Sequence, residues 1–345
     1  MERLGTTYEV NELVRSAVEA AFEGQPLSDP ESIGELLEIP TFSRESGILI
    51  AAARRLSEEI CGGRAEVHAQ TSLNVGPCAR NCLFCAFAEC NGVFREPKEF
   101  PLEHVIEQCR LFEADGANAV YLMATGVYSF RRFLQRAAAV REALAPDTVL
   151  IANVGDFGVD EARELKQVGF AGVYHAVRLG EGEVTDLPVE QRLATFRACR
   201  EAGLAVGTCL EPVGPEHTTE ELVEKLLITR DAGPAYSGAA RRIPIPGTRL
   251  GGLGAVSEAR MAHILAVVRL VLPHSIRGNC THEPNALGAA AGANLVWAEM
   301  GANPRDSREK TEEGRGMTVE QCRDVLREGE WECLEGPSVF HGPGA

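Results

Sequence analysis

The sequence of 345 residues lacks any apolar run approaching the roughly 18 residues that cross a bilayer, so a membrane-spanning protein is not expected. Basic residues are the minority: 34 Lys and Arg stand against 50 Asp and Glu, giving a formal net charge of −16. Such a surface repels phosphate backbones and anionic lipids, so neither nucleic acid nor a membrane is an expected partner. A local basic pocket for a small anionic ligand is compatible with this charge.

The chain also lacks features that would assign it to other classes. Its first ten residues, MERLGTTYEV, are acidic and contain no signal-peptide core, so we expect a cytoplasmic protein. No Gly-x-Gly-x-x-Gly turn opens a helix after a strand, which disfavours a nicotinamide-dependent enzyme. The cysteines number 11, an odd count that argues against a disulfide framework. The hydrophobic share of 45% is that of an ordinary globular enzyme.

Three cysteines lie close together in the segment Cys78-Ala-Arg-Asn-Cys82-Leu-Phe-Cys85. In a reducing compartment, thiolates spaced by four and three residues can bind three irons of one [4Fe–4S] cluster and leave the fourth iron free. Zinc is the alternative, and it needs a fourth ligand, which Cys90 could supply from an unusual spacing. The spacing favours the cluster over zinc.

Apolar periodicity divides the chain into three regions. Residues 1–64 read as a helical extension. From 65 to 302, short apolar strands alternate with helices about eight times, which predicts an α/β fold: a closed (β/α)8 TIM-type barrel. Residues 303–345 form a short C-terminal extension, in which 303–315 reads as charged and flexible, and 336–345, rich in Gly and Pro, as loose.

The predicted strands place polar residues at one rim of the barrel. In parallel barrels the chemistry lies at the carboxyl ends of the strands. Residues at the predicted strand ends are the cysteine segment after strand one, Thr125 and Gly126 after strand two (119–124), Arg178 and Glu181 after strand four (172–177), residues 209–216 at strand five (205–210), Arg241 and Arg242 on strand six (241–245), and Cys280 and His282 after strand seven (275–277).

With these cysteines after the first strand, and the aromatic residue Phe84 before the last of them, the sequence resembles the radical S-adenosylmethionine (SAM) superfamily. Within it, the chain is similar to the biotin synthase-like group, which includes biotin synthase, lipoyl synthases of the biotin-synthase-like type, the FeFe-hydrogenase maturase and methylornithine synthase. The similarity runs from about residue 40 to 305. It includes the stretch GAAAGANLVWAEMGA at residues 288–302.

The resemblance implies a [4Fe–4S] cluster on Cys78, Cys82 and Cys85 whose free iron binds SAM. Reductive cleavage of SAM would give a 5′-deoxyadenosyl radical that abstracts a substrate hydrogen, with an electron donor such as ferredoxin or flavodoxin as partner. The SAM-binding residues implied by the resemblance are Phe84, Thr125, Gly126, Arg178, Glu181, Arg192 and Gly214. Of these, Thr125 and Gly126 would lie near the methionine amine, and Glu181 would bind the ribose hydroxyls. Arg192 would bind the carboxylate, and Gly214 belongs to the loop beside the adenine. The local alternatives are surface ion pairs for the two arginines and a solvated loop acid for the glutamate.

The sequence departs from biotin synthase at that enzyme's second, sulfur-donating cluster. The resemblance implies cysteine ligands on strands two and three, whereas residues 121–123 and 151–153 contain none. A different auxiliary iron–sulfur cluster is the expectation, with Cys209, Cys280 and Cys322 as candidate ligands; the alternative is that Cys209 and Cys280 are unreactive buried residues. His282 reads as a satisfied loop histidine, with a ligand or acid–base role as the alternative.

Three functions follow from these expectations. The first is sulfur insertion at unactivated C–H positions, of the lipoyl synthase or biotin synthase type, on a small molecule or an acyl chain carried by a lipoyl domain. The second is a carbon-skeleton mutase or cofactor maturase with one cluster. The third is a noncatalytic metal-binding protein. Iron content separates the first two, at about eight irons for two [4Fe–4S] clusters and about four for one.

Overall fold

The computed structural model describes residues 10–341. The first nine residues, to which the signal-peptide expectation applies, and the last four residues of the tail lie outside this range. The described part begins with three helices, α1 (Glu12–Phe22), α2 (Pro30–Glu38) and α3 (Arg44–Cys61). Side-chain oxygens of Asn11, Asp29 and Ser43 cap them, accepting hydrogen bonds from free backbone N–H groups of the first turn.

The remaining elements alternate between strands and helices. In chain order they are β1 (Arg64–Ser72), β2 (Asn74–Val75), β3 (Lys98–Glu99), α4 (Leu102–Ala114), β4 (Ala119–Met123), α5 (Phe130–Ala143), β5 (Leu150–Asn153), α6 (Val159–Val168), β6 (Gly172–Tyr174), α7 (Val189–Ala202), β7 (Ala205–Gly207), β8 (Leu210–Val213), α8 (Thr219–Asp231), β9 (Tyr236–Arg241), α9 (Glu258–Val271), β10 (Gly278–Thr281), α10 (Ala286–Ala290), β11 (Leu295–Glu299), α11 (Val319–Glu328) and β12 (Glu332–Cys333).

A closed parallel barrel forms the centre of the molecule. Its strands follow the order β1, β4, β5, β6, β7, β9, β10, β11, and β11 returns to pair with β1. After a break at two residues, β7 is continued by β8, which pairs with β9. Pairs such as Val67 with Val296 and Ala69 with Val120 fix the register on either side of β1. The predicted (β/α)8 fold is confirmed.

The N-terminal helices cover one flank of this barrel. They pack on α9, in which Met261 to Val271 are buried without interruption. A helix that is buried on all sides needs cover on the side away from the barrel, and α1, α2 and α3 supply it. A polar contact orders the interface: His263 Nδ1 lies 2.8 Å from Ser46 Oγ, and its Nε2 lies 3.0 Å from the Leu36 carbonyl oxygen. The division of the chain at residues 64 and 302 stays a prediction.

Two strands lie elsewhere than the sequence predicted. The sixth strand spans Tyr236–Arg241 instead of 241–245, and the seventh spans Gly278–Thr281 instead of 275–277. The sixth strand, YSGAAR, is built from small residues with little β preference, so its apolar signal is weak. Its Gly238 is required by close approach, because a Cβ there would clash with the Cys280 backbone. Cys280 therefore lies within a strand and inside the barrel.

The C-terminal tail closes the amino-terminal end of the barrel. The sequence predicted residues 336–345 to be loose, but in the described part Ser338, Phe340 and His341 are buried. Phe340 packs against Gly278 and the inward-facing ring cluster of the barrel, and the Val339 N–H donates to Glu66 Oε1 at 2.8 Å. The Gly and Pro content of 336–345 predicted a loose segment. Residues 338–341 are too few to show the apolar periodicity that would have predicted packing.

Crossing a membrane needs a long apolar helix, and residues 10–341 form none that meets this requirement.

Replacing Phe340 by alanine should open a cavity at the barrel floor, because the ring is 1% exposed. We expect the free energy of unfolding to fall by about 3 kcal/mol or more, as for other buried Phe→Ala changes. Urea unfolding measures this loss. Val339→Ala is the matched control, since that neighbouring side chain is 38% exposed. An equal loss of unfolding free energy in the two variants would show that Phe340 does not pack into the barrel floor.

Candidate active site

A cavity lies at the carboxyl ends of the barrel strands. It holds about 1350 Å³ of empty space, including the part that opens to solvent. Loops after almost every strand contribute to its wall, as expected for the catalytic end of such a barrel. Of the site residues predicted from the sequence, the structure brings these to the cavity: Cys78, Cys82, Phe84, Cys85, Thr125, Gly126, Arg178 and Arg192.

Backbone hydrogen bonds hold the cysteine loop in shape. The Cys78 N–H donates to the Phe87 carbonyl at 2.8 Å, and the Cys85 N–H donates to the Cys82 carbonyl at 2.9 Å. The Asn91 side-chain amide donates to the carbonyls of Cys82 and Cys85 at 3.4 and 2.8 Å. One amide therefore ties the ends of the Cys-x-x-Cys turn together and leaves the sulfur atoms facing the cavity.

The spacing of these sulfurs fits a cluster better than one zinc ion. Among residues 10–341, the one group of three metal-ligating atoms within 4.8 Å of one another lies elsewhere, so at least two of the three loop sulfurs are more than 4.8 Å apart. Two sulfurs on one zinc, each ~2.3 Å from it, would lie ~3.8 Å apart. In a cubane cluster each thiolate binds a different iron. The donor set thus fits the [4Fe–4S] group that the sequence predicted.

Burial makes the Cys82 and Cys85 thiols poor anions in the protein alone. It raises the pKa of the Cys82 thiol to about 11 and raises that of Cys85 further. Neutral thiols bind metal weakly, and a bound cation is the interaction that stabilises buried thiolates. These two thiols are therefore unsuited to serve as free nucleophiles.

The loop after β4 lies against the cysteine loop. Asn74 orients it: its side-chain oxygen accepts from the Thr125 N–H at 3.0 Å, and its amide donates to Thr125 Oγ1 at 2.9 Å. A Cβ on Gly126 would lie 3.2 Å from Arg80 Cγ and 3.9 Å from Cys78 Sγ. Gly126 therefore keeps this backbone close to the thiols, where a small ligand on the cluster would meet it.

Both predicted arginines lie in the cavity wall and are not surface ion pairs: Arg192 is buried, and Arg178 is partly buried. Arg178 Nε lies 3.3 Å from Glu211 Oε1. Arg192 Nη1 donates to Asp156 Oδ1 at 2.8 Å, and its Nε donates to the Ala176 carbonyl at 3.0 Å. Because each guanidinium already has a carboxylate partner, a ligand carboxylate would share these cations with acidic side chains.

Two predicted cofactor residues do not reach the cavity. The Glu181 side chain is fully buried; its Oε2 accepts from the Arg178 N–H at 3.0 Å and its Oε1 from the Thr185 hydroxyl at 2.8 Å. It supports its own loop and is not placed to bind ribose. Gly214 lies beyond the cavity, where a Cβ would clash with Glu216 and Arg242. Sequence reasoning identified these loops correctly but could not tell which side chains face inward.

Several cavity residues were missed from the sequence. Asp156 follows the third strand, and its Oδ2 is buried without a hydrogen-bond partner in the described chain. Glu299, which ends the last strand, forms ion pairs with Arg305 and Arg315. The signal was present, because an acid at the end of a buried strand is unusual. The predicted flexibility of 303–315 was wrong, since Arg305 lines the cavity and Thr311 is buried.

The candidate auxiliary cysteines divide into two places. Cys209 and Cys280 meet inside the barrel with their sulfurs 3.4 Å apart. Cys322 is not with them: it lies on α11, outside the barrel, and its Sγ lies 3.3 Å from the Trp297 carbonyl oxygen. Cys209 and Cys280 are fully buried below the cavity, whereas His282 lines it. The three predicted auxiliary ligands are therefore not assembled as one set.

The Radical SAM superfamily model matches residues 76–227, which contain the cysteine loop. The biotin synthase of Kocuria rhizophila is 27% identical over 299 residues, covering 76% of this chain and 64% of that enzyme. The biotin synthase of Phenylobacterium zucineum is 30% identical over 256 residues, covering 70% of this chain and 76% of that enzyme. The chain belongs to the biotin synthase-like group of the radical SAM superfamily. It spans slightly less than two thirds of the Kocuria enzyme.

Solved structures share the fold of this radical SAM chain. The FeFe-hydrogenase maturase HydG from Carboxydothermus hydrogenoformans has a TM-score of 0.76 at 18% identity, covering 96% of this chain and 81% of that one. Methylornithine synthase (PylB) has a TM-score of 0.74 at 18% identity, covering 94% and 98%. At these identities the likeness concerns the fold alone.

Replacing Glu299 by glutamine tests the ion pairs at the cavity wall. Burial raises the pKa of Glu299, but the charges and hydrogen bonds of Arg305 and Arg315 outweigh it and lower the pKa from 4.5 to about 2. A folded-state pKa below the unfolded value stabilises the fold above about pH 5, and this stabilisation is lost as the pH falls towards 2.

We expect Glu299→Gln to lower the free energy of unfolding of the apoprotein by on the order of 3 kcal/mol at pH 7. The difference from the wild type should shrink as the pH falls from 5. Urea unfolding across this range measures it, with Glu309→Gln, from a half-exposed pair with Lys98, as control. A difference that does not change with pH would contradict the paired, ionised state.

Proposed function

We propose that this chain binds a [4Fe–4S] cluster through Cys78, Cys82 and Cys85 and SAM in the adjoining cavity, and abstracts hydrogen from a substrate held in the barrel. The cluster, when bound and reduced, supplies the electron that cleaves SAM to methionine and the 5′-deoxyadenosyl radical. The observation that supports this most strongly is the cavity itself. The three loop cysteines share it with Thr125, Gly126 and charged side chains.

The chain's own residues would bind and orient the reactants. The unpartnered Oδ2 of Asp156 can accept a hydrogen bond from a SAM hydroxyl or ammonium group. Arg192 holds the other carboxylate oxygen of Asp156 in place. The fixed Arg178–Glu211 pair on the cavity wall presents both charges to a polar ligand. These buried, paired groups keep their positions without reorganising when the radical forms, and the apolar remainder of the wall excludes water.

Sulfur insertion at an unactivated C–H position is the first candidate for the reaction. The similarity to biotin synthases supports it. The substrate would be a small molecule or an acyl chain on a lipoyl-domain carrier, as in lipoyl or biotin synthesis. A low-potential donor such as ferredoxin or flavodoxin would reduce the cluster, which suits a cytoplasmic enzyme. The sulfur donor would be an auxiliary cluster that includes Cys209 and Cys280.

A single-cluster mutase or maturase is the second candidate, and the cysteine positions favour it. Only Cys209 and Cys280 of the three expected auxiliary ligands meet, because Cys322 lies on the other side of β11. That leaves fewer thiolates than a second [4Fe–4S] cluster ordinarily uses. A noncatalytic metal-binding protein is less well supported, since binding alone does not need a polar cavity beside the thiols.

Iron and sulfide analysis after anaerobic reconstitution tests the proposed function. The wild type should hold at least about four irons per chain and release 5′-deoxyadenosine from SAM with dithionite as reductant. The Cys78/Cys82/Cys85→Ala variant should lose four irons and this activity. Cys109→Ala, a buried helical cysteine, is the control that should keep both. Iron that remains at about four in the triple variant would support sulfur insertion with an auxiliary cluster.

An iron content of zero in the triple variant, against about four in the wild type, would support the single-cluster reaction. A wild type that holds iron but never cleaves SAM would point to the noncatalytic alternative. Absence of iron from both proteins would overturn the proposed function.

The change Asp156→Asn tests the role of the unpartnered carboxylate oxygen. We expect SAM to bind about 10- to 100-fold more weakly, because a hydrogen bond to a charged group is lost. Equilibrium dialysis of the reconstituted protein with labelled SAM measures this, with iron content as a check on folding. Asp160→Asn, on the exposed side of α6, is the control. Equal affinities in the two variants would remove Asp156 from the binding site.

A further inference from the structure

The Cys209–Cys280 pair stands out because its sulfurs are so close. Cys209 lies in the break between β7 and β8, and Cys280 lies in β10; both β7 and β10 are hydrogen-bonded to β9. Neither side chain is exposed, and their Sγ atoms are 3.4 Å apart. Cys280 was predicted to lie at the rim, but it is buried within β10, one residue before that strand ends at Thr281.

His282 brings a third ligand atom to this pair. A ring nitrogen of His282 and the two sulfurs all lie within 4.8 Å of one another, an arrangement found once among residues 10–341. The Nδ1 atom of His282 lies 3.2 Å from Glu211 Oε2, whereas its Nε2 is buried and has no hydrogen-bond partner in the described chain. A carboxylate on one ring nitrogen, with the other left free, is the arrangement that orients metal-binding histidines.

The two cysteine groups of this barrel differ in spacing, and the difference has a chemical meaning. Thiolates ~2.3 Å from one metal and 3.4 Å from each other subtend about 95° at the metal, within the range of a distorted tetrahedron. Thiolates of a cubane cluster bind separate irons and stand farther apart. Cys209 and Cys280 therefore suit one shared metal atom, whereas the three loop sulfurs do not all lie within 4.8 Å of one another.

Charge also favours an ion at this place. The thiols of Cys209 and Cys280, the His282 imidazole and the Glu211 carboxylate meet here, with Glu211 Oε2 3.2 Å from His282 Nδ1. A buried thiolate beside the Glu211 carboxylate would be a costly concentration of negative charge without a cation. A divalent ion on two thiolates and a neutral imidazole would make the group electrically neutral.

We propose that Cys209, Cys280 and His282 bind a single thiophilic divalent metal ion, for which zinc is the best fit. Two sulfurs and one nitrogen are a common zinc set, and three protein ligands leave a fourth position open. His282 lines the cavity, so the ion would lie under its floor. An anionic sulfur or oxygen of a bound substrate can complete the coordination. This inference does not rest on the radical reaction proposed above, and it replaces the auxiliary cluster on Cys209 and Cys280 that the sulfur-insertion candidate would need.

Metal analysis of the holoprotein tests this site. The chain is reconstituted anaerobically with iron, sulfide and zinc, and both metals are counted by mass spectrometry. We expect about four irons and one zinc per chain in the wild type. Cys280→Ser and His282→Gln should each lose the zinc and keep the four irons. Cys322→Ser is the matched control, because that buried cysteine lies outside the set and should keep both metals.

X-ray absorption at the zinc edge identifies the ligands. Two sulfurs and one nitrogen are expected in the wild type, and a spectrum lacking sulfur would contradict the assignment. Zinc that persists in both Cys280→Ser and Cys209→Ser, a second set of four irons, or a Cys209–Cys280 disulfide in place of a metal would each overturn the proposal. Loss of iron in the loop-cysteine variant with zinc retained would separate this site from the proposed radical site.

Discussion

The candidate chemistry depends on the pairing of β11 with β1, which closes the parallel sheet. Because all the strands of the closed barrel run in one direction, their carboxyl ends meet around a single opening. Residues as far apart as Gln70 and Arg305 therefore line the same cavity. The cysteine loop is effective only in this setting, since its thiols need neighbouring groups that no local segment could provide. An open sheet with the same strands would spread these groups along an edge.

The features of this arrangement that could be predicted are those that depend only on residues close together in the sequence. The spacing of Cys78, Cys82 and Cys85 is a property of eight consecutive residues, and the alternation of strands and helices is a property of short windows. Both led to the observed barrel and to the cavity. The position of the sixth strand could not be found in this way, because its small residues are selected by close packing against Cys280 and not by β preference.

Side-chain direction was the second limit of sequence reasoning. Glu181 and Arg192 lie in regions that were correctly placed near the cavity, but only one of them reaches it. The difference arises from loop hydrogen bonds, in which Glu181 satisfies a backbone N–H and a threonine hydroxyl. The charged composition of 303–315 predicted a flexible segment. The structure shows instead that Arg305 and Arg315 of this segment form ion pairs with buried Glu299. A charged sequence is ordered when its partner is a carboxylate that cannot reach water.

The tail that packs under the barrel has a consequence for how the molecule opens. Glu66 accepts from the Val339 N–H and also contacts His68 Nε2 at 2.8 Å. From His68 the hydrogen bonds continue to Tyr121 and on to Tyr236, at 2.9 Å each. Three strands and the tail thus share one polar chain inside an apolar lumen, and breaking it at any point leaves buried groups unsatisfied. The hydrogen bonds tie the floor of the barrel and residues 338–341 into one unit, so we expect their amides to exchange together rather than one by one.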